Sequence, residues 1–213
     1  MSTQASTNTA SQGPSSVWAR EMACNVVLSL LFLQFAVAHV NSLLAAVRLS
    51  TILVVAKVSL DVVFYLTRRI PKEVSGSVYD WFIAVLGTFA IVFFRPADNS
   101  DMWLGYVLQF SGLALQSLAM LSLKRSIGIV PANRGIQTGG LYRFVRHPMY
   151  LSYVIAYLGY AINHPSAFNI GLYVFSVTLW VLRLLAEERF LMRDETYREF
   201  SQRTRFRLIP GVF

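Results

Sequence analysis

The sequence predicts an all-α membrane protein, a polytopic bundle of about six transmembrane helices with a C-terminal helical hairpin and a cytoplasmic tail. Three observations carry this. Of 213 residues, 55% are hydrophobic and only 14% are charged, whereas a soluble domain carries about 25% charged residues. The apolar residues gather into six stretches. The basic residues crowd into alternate loops between them. A water-soluble fold could not cover that much apolar surface. The formal charge of +8 sits beside apolar spans, which points to an anionic membrane face and not to nucleic acid.

Residues 1–16 are rich in Ser, Thr, Gln and Asn and are expected to form a disordered tail. They lack a basic region followed by an apolar one, so no signal peptide is expected. Residues 17–123 then hold four spans, at 22–47, 49–66, 79–94 and 102–123. Residues 124–213 hold two more, at 148–162 and 168–186, and the C-terminal segment. A span needs roughly 20 residues; the third and fifth fall short and need local thinning or packing inside the bundle. The boundary between the first two rests on Arg48 alone, and the first span could end sooner, near His39. The single cysteine, Cys24, excludes an internal disulfide and reads as a small core residue.

Orientation follows from Lys and Arg in short loops. Arg68, Arg69 and Lys72 follow the second span. Lys124, Arg125, Arg134, Arg143 and Arg146 follow the fourth, and six arginines from Arg189 to Arg207 follow the sixth. The opposite loops offer only Arg48 and Arg95. Both termini are therefore expected in the cytoplasm. The compact form points to a bacterial inner membrane, or to the endoplasmic reticulum for a eukaryotic chain.

Two ionisable residues fall inside the second span. Lys57 and Asp61 are four apart and share a helix face. A self-neutralising structural pair is favoured over a proton or ion path. His39 and Asn41 read as interhelical hydrogen-bond partners.

The informative stretch runs from Gln137 to Tyr150. Thr138-Gly139-Gly140 should turn the chain and let its backbone approach a ligand closely. Pro148 suits a first helical turn, so the fifth span should open there with unpaired amides and a positive dipole end that attracts an anion. Arg146 and His147 strengthen that preference. The short turn from Asn163 to Ser166 makes the last two spans an antiparallel hairpin. Counted from it, His147 lies about 16 residues down one arm and Glu187 about 21 down the other, levels only about 8 Å apart. Glu187 and Glu188 thus add an acidic patch at that depth. Spacing alone equally allows His147 as a helix cap and Glu187 as an ordinary pair with Arg183.

The run from Gly140 to Tyr150, Gly-Leu-Tyr-Arg-Phe-Val-Arg-His-Pro-Met-Tyr, followed by Glu187-Glu188, resembles the membrane methyltransferases. That superfamily includes isoprenylcysteine carboxyl methyltransferases and phospholipid N-methyltransferases. The resemblance covers about 124–213, including Val-Pro-Ala-Asn-Arg-Gly at 130–135 and the tail motif at 197–210. It implies a methyltransferase core that uses S-adenosylmethionine in a cytoplasm-facing pocket and takes a lipidic or small acceptor from the bilayer. It further implies that His147, Pro148, Tyr150, Glu187 and Glu188 hold the cofactor. Gly140 and Tyr142 would shape the approach loop, and Arg205 or Arg207 would lie near the reacting end of the substrate. No metal site is implied. Ser152, Phe200 and Thr204 stand where the family often has Gly, Tyr and Val, which bears on the acceptor more than on the cofactor.

In-line displacement of a sulfonium methyl needs positioning and desolvation. An ionised carboxylate needs no base, whereas an amine or thiol must first lose a proton. Tyr142 and His147 are the only base candidates in the motif and neither is assigned, which favours a carboxyl or thiolate acceptor. Phospholipid N-methylation and thiol S-methylation remain alternatives within the enzyme class. A non-catalytic membrane protein or transporter built on Lys57 and Asp61 is the alternative from another class.

Overall fold

The computed structural model describes residues 47–67, 71, 73–96, 102–124, 126 and 128–213, with scattered positions between 26 and 44. The described residues form an all-helical fold with one two-residue ribbon. Helix α1 is Leu49–Thr67 and α2 is Val78–Phe89, continued by a 3-10 turn at Ala90–Phe93. Helix α3 is Trp103–Leu123, α4 is Pro148–Asn163, α5 is Ala167–Leu191 and α6 is Glu195–Arg203. The tail at 1–16, Cys24, His39, Arg68, Arg69, Lys72, Arg125 and most of the first span at 22–47 lie outside the described residues. Asn41 is described, and it is exposed.

Local chemistry sets the helix starts. Ser77 caps α2 by accepting from the Asp80 amide, and Ser166 caps α5 by accepting from the Asn169 amide. Each satisfies an amide that the first turn would otherwise leave unpaired. Asp194 does the same for α6. Pro148 opens α4, as expected.

Helices α3 and α5 are long and apolar enough to cross a membrane, and α2 with its 3-10 extension is a shorter apolar segment. Trp103, Phe110 and Leu121 of α3 and Val174 and Phe175 of α5 point outward, an apolar surface suited to lipid.

Helices α3 and α4 meet at backbone distance. A Cβ added at Gly112 would lie 2.6 Å from the Ala156 Cβ and amide nitrogen, and one at Gly159 would lie 2.6 Å from the Gly105 carbonyl oxygen. Only small residues permit this approach, the usual device for packing helices in lipid. On the other side of α4, Tyr157, Tyr160 and Trp180 are buried with Phe94 and Leu184, and Phe94 stacks on Tyr157 at 5.1 Å. Trp180 also donates to the Gly87 carbonyl at 3.0 Å, tying α5 to α2.

The loops at one end of the helices are stitched together. Strand β1, Glu73–Val74, pairs antiparallel with β2, Ala132–Asn133, in the register Glu73 to Asn133 and Val74 to Ala132. Arg189 reaches Asp80 at 3.2 Å, and Asn133 donates to Asp194 at 2.7 Å.

Candidate active site

The α4–α5 hairpin brings His147 and the two glutamates to one level. An open pocket lies there, between the 126–147 loop, the start of α4, the last turns of α5, and α6. Of the residues singled out in the sequence, Tyr142, Arg146, His147, Tyr150 and Glu187 line it. Glu187 accepts a hydrogen bond from the Tyr150 hydroxyl at 2.9 Å.

Glu188 is not in that lining. It points the other way, is 4% exposed, and is saturated by cations. Its Oε1 lies 2.7 Å from Arg146 Nε and 3.3 Å from His147 Nε2, and its Oε2 accepts from Arg207 Nε at 2.5 Å. Burial pushes the Glu188 carboxyl up, but hydrogen bonds from His147 and Arg207 and the nearby charges of His147 and Arg146 outweigh it. The result is a pKa of about 2. Adjacent helical residues point about 100° apart, and here that angle divides two carboxylates into one facing the pocket and one behind its wall.

Three other expectations need correction. The Arg146 and His147 amides are not open to an anion: they donate to the Phe206 and Arg207 carbonyls at 2.9 Å each. A backbone segment from the tail thus runs beside the two residues that lead into α4. Gly140 does adopt a positive φ of 60°, but what comes close to it is protein. A Cβ there would lie 2.1 Å from Ser122 Oγ, and the Leu141 amide donates to the same oxygen at 3.3 Å. The glycine lets the loop lie on α3. Finally, Pro148 and Gly140 shape the backbone outside the pocket lining. Arg205 is exposed, and Arg207 is engaged with Glu188.

The pocket also draws on residues that the sequence reading did not assign to cofactor binding. Arg134, Gln137, Tyr153, Arg183, Tyr197 and Phe200 line it. Arg134 and Arg146, which look like loop charges, are 6% and 7% exposed. Tyr197 and Phe200 stand in the tail motif. Arg183 stands one helical turn before Glu187 and donates to Thr88 Oγ1 at 3.1 Å and to the Gly128 carbonyl at 3.0 Å. Burial, then the charge of Glu187, pushes the Tyr142 hydroxyl well above the ordinary tyrosine range. Burial and the charges of Glu188 and Glu187 do the same to Tyr197. Both hydroxyls stay protonated and act as donors, not as bases.

A motif-bearing loop, a carboxylate facing an aromatic pocket and a second carboxylate locked behind it make up the candidate site. Residues 100–199 match the family model of the phospholipid methyltransferases. The matched segment holds α3, the motif loop, the hairpin and the first turns of α6. It begins before the Lys124 at which the sequence resemblance starts and stops short of Arg205 and Arg207. No curated protein matches the chain. The family implies methyl transfer at a membrane to lipid-like acceptors.

Proposed function

We propose that this protein transfers a methyl group from S-adenosylmethionine to a lipidic acceptor, with a carboxylate as the favoured nucleophile. The reading places the pocket on the cytoplasmic face of a six-span bundle with both termini cytoplasmic. The observation that carries it is the pocket itself, in which Glu187 faces a space walled by Tyr142, Tyr150, Tyr153, Tyr197 and Phe200.

The donor set fits the cofactor. Glu187 suits an ammonium group or ribose hydroxyls. The rings suit an adenine and a sulfonium cation, and Arg134 with Gln137 suits a carboxylate. When bound, S-adenosylmethionine supplies a methyl on a sulfonium sulfur that leaves as a neutral thioether, keeping the electron pair of the broken S–C bond. The residues of this chain bind, orient and exclude water. Glu188 is held ionised by the His147 hydrogen bond and by Arg207 and Arg146, and Tyr142 and Tyr197 are held protonated. With these groups unavailable as bases, a nucleophile that arrives already ionised is favoured. The family match favours a second reading, N-methylation of a phospholipid amine. Its extra proton would have to leave through Glu187 or water.

The test is equilibrium binding of S-adenosylmethionine to the purified full chain, first in detergent and then in lipid nanodiscs. Glu187→Gln removes the carboxylate that faces the pocket but keeps its shape. It is expected to raise the Kd about tenfold or more, the value of one charge-assisted hydrogen bond, with an unchanged unfolding midpoint. Absence of saturable binding by folded wild-type protein in both media would overturn the reading. A radiolabelled-methyl assay with fatty acid and aminophospholipid acceptors then chooses between the two chemistries.

A further inference from the structure

Gly128 lies in the loop between α3 and β2, among the residues that line the candidate pocket. Its backbone does not call for glycine. The glycines with positive φ among the described residues are Gly135, Gly140 and Gly211, so an L side chain could take the φ of residue 128 without strain. What excludes a side chain there is a neighbour. A Cβ at Gly128 would overlap Arg134 Nη1 and lie 3.0 Å from Arg134 Cζ, with the Val130 carbonyl oxygen at 3.4 Å. The Arg134 guanidinium thus occupies the space where a side chain would begin.

The same residue holds a second guanidinium. The Gly128 carbonyl accepts from Arg183 Nη2 at 3.0 Å, and Arg183 Nη1 donates to Thr88 on α2. Arg134 and Arg183 both line the pocket. The Arg134 carbonyl accepts from Ser126 Oγ at 3.1 Å, so the loop folds back on itself and brings residue 134 beside residue 128. A guanidinium placed by packing keeps few alternative rotamers, and its planar fork can meet a carboxylate in two parallel hydrogen bonds. One methyl group at residue 128 would take its seat. The atoms that the methyl meets first belong to the far end of a flexible side chain, which can swing aside. The loss would be one of position and not of fold.

We propose that Gly128 is a positioning residue of the pocket: by lacking a side chain it seats Arg134, whose guanidinium receives the carboxylate end of the cofactor. This rests on the methyltransferase reading and assigns one end of the cofactor to one arginine. Arg134 is then a specificity-determining residue, which selects a sulfonium ligand that carries a carboxylate over one that lacks it.

The test measures equilibrium binding of S-adenosylmethionine and of decarboxylated S-adenosylmethionine to the full chain in phosphatidylcholine nanodiscs. Wild type, Gly128→Ala, Arg134→Ala and the double variant are compared, with thermal unfolding of the same samples to check the fold. Wild type should bind S-adenosylmethionine about tenfold or more tighter than the decarboxylated compound, the value of one charge-assisted hydrogen bond. Gly128→Ala and Arg134→Ala should each bring the two ligands within about twofold of one another. The double variant should bind no more weakly than Arg134→Ala alone, because both changes act through one contact and do not add. A wild type that binds the two ligands alike, a Gly128→Ala protein that keeps the wild-type preference, or losses that add in the double variant would each overturn the proposal while leaving the methyltransferase reading standing. Failure of the wild type to bind S-adenosylmethionine would bring down both. Should Gly128→Ala not fold, the double variant decides, since Arg134→Ala removes the atoms that the new methyl meets. A folded double variant without ligand preference supports the proposal. One that stays unfolded, or that keeps the preference, overturns it.

Discussion

Replacing Glu188 by alanine is expected to destabilise the protein by roughly 3–5 kcal/mol, the cost of breaking a buried ion pair from one side, and to abolish methyl transfer. Among the described residues, Glu188 is the carboxylate side chain that pairs with Arg146, His147 and Arg207, and Arg146 and His147 are themselves buried. For a chain of this length the unfolding midpoint should fall on the order of 10 °C. The tail should loosen with it, because Arg207 and the backbone bonds from the Arg146 and His147 amides to the 206–207 carbonyls form one contact. Limited proteolysis after residue 204 reads that directly. The pH dependence gives the same group a second signature. The Glu188 pKa is depressed on folding, from the ordinary 4.5 to about 2. Its stabilisation, roughly 3 kcal/mol, is therefore fully present above pH 4.5 and is lost as the pH falls toward 2. Wild type and Glu188→Ala should differ most above pH 4.5 and converge near pH 2. Equal midpoints at neutral pH would sink the assignment of Glu188 as the anchor of the site.

Valine at Gly112 or Gly159 is expected to cost at least about 3 kcal/mol, the upper part of the range for overpacking. The added atoms meet backbone, the Ala156 amide in one case and the Gly105 carbonyl and Gln109 amide in the other. Backbone cannot turn aside as a side chain can. The helices must separate, and Ser122 at the end of α3 would carry the Gly140 loop and one wall of the pocket with it. The control is Gly171→Ala. Nothing lies within 4 Å of a Cβ at that helical position, so the change should be neutral or stabilise by up to about 1 kcal/mol. Thermal unfolding in detergent checks all three. Valine variants that melt with the wild type would show that the α3–α4 contact is looser than described.

Much of the helical frame was legible in the sequence. The apolar runs at 49–66 and 102–123 agree with α1 and α3 to within a residue at each end, and Pro148 marks the start of α4. Helix α5 runs five residues past the expected 186. The charges at Glu187 to Arg189 end an apolar window, yet Glu and Arg are good helix formers, and here one glutamate is buried against cations. The site was legible to the extent that a short motif carries it: Tyr142, His147, Tyr150 and Glu187 reach the pocket. Hidden from the sequence was what joins segments far apart. The Glu188 bonds span 19 to 42 positions, the tail carbonyls accept from the Arg146 and His147 amides 60 residues earlier in the chain, and Ser122 meets Gly140 across a loop. Adjacent glutamates look alike in a motif. Only the helix phase relative to its neighbours separates the one that faces a ligand from the one that fastens the wall.

The short ribbon between Val74 and Ala132 also constrains how the chain can be threaded. Hydrogen-bonded partners occupy one side of a bilayer, so the chain between them must traverse it an even number of times. The helices in that interval, α2 and α3, therefore cross together or not at all, and the brief length of α2 cannot be explained by leaving it behind on one surface while α3 crosses. The Asp80–Arg189 contact imposes the same parity on the four helices from α2 to α5. Side-chain and backbone pairing thus records which segments share a side, independently of the loop charges.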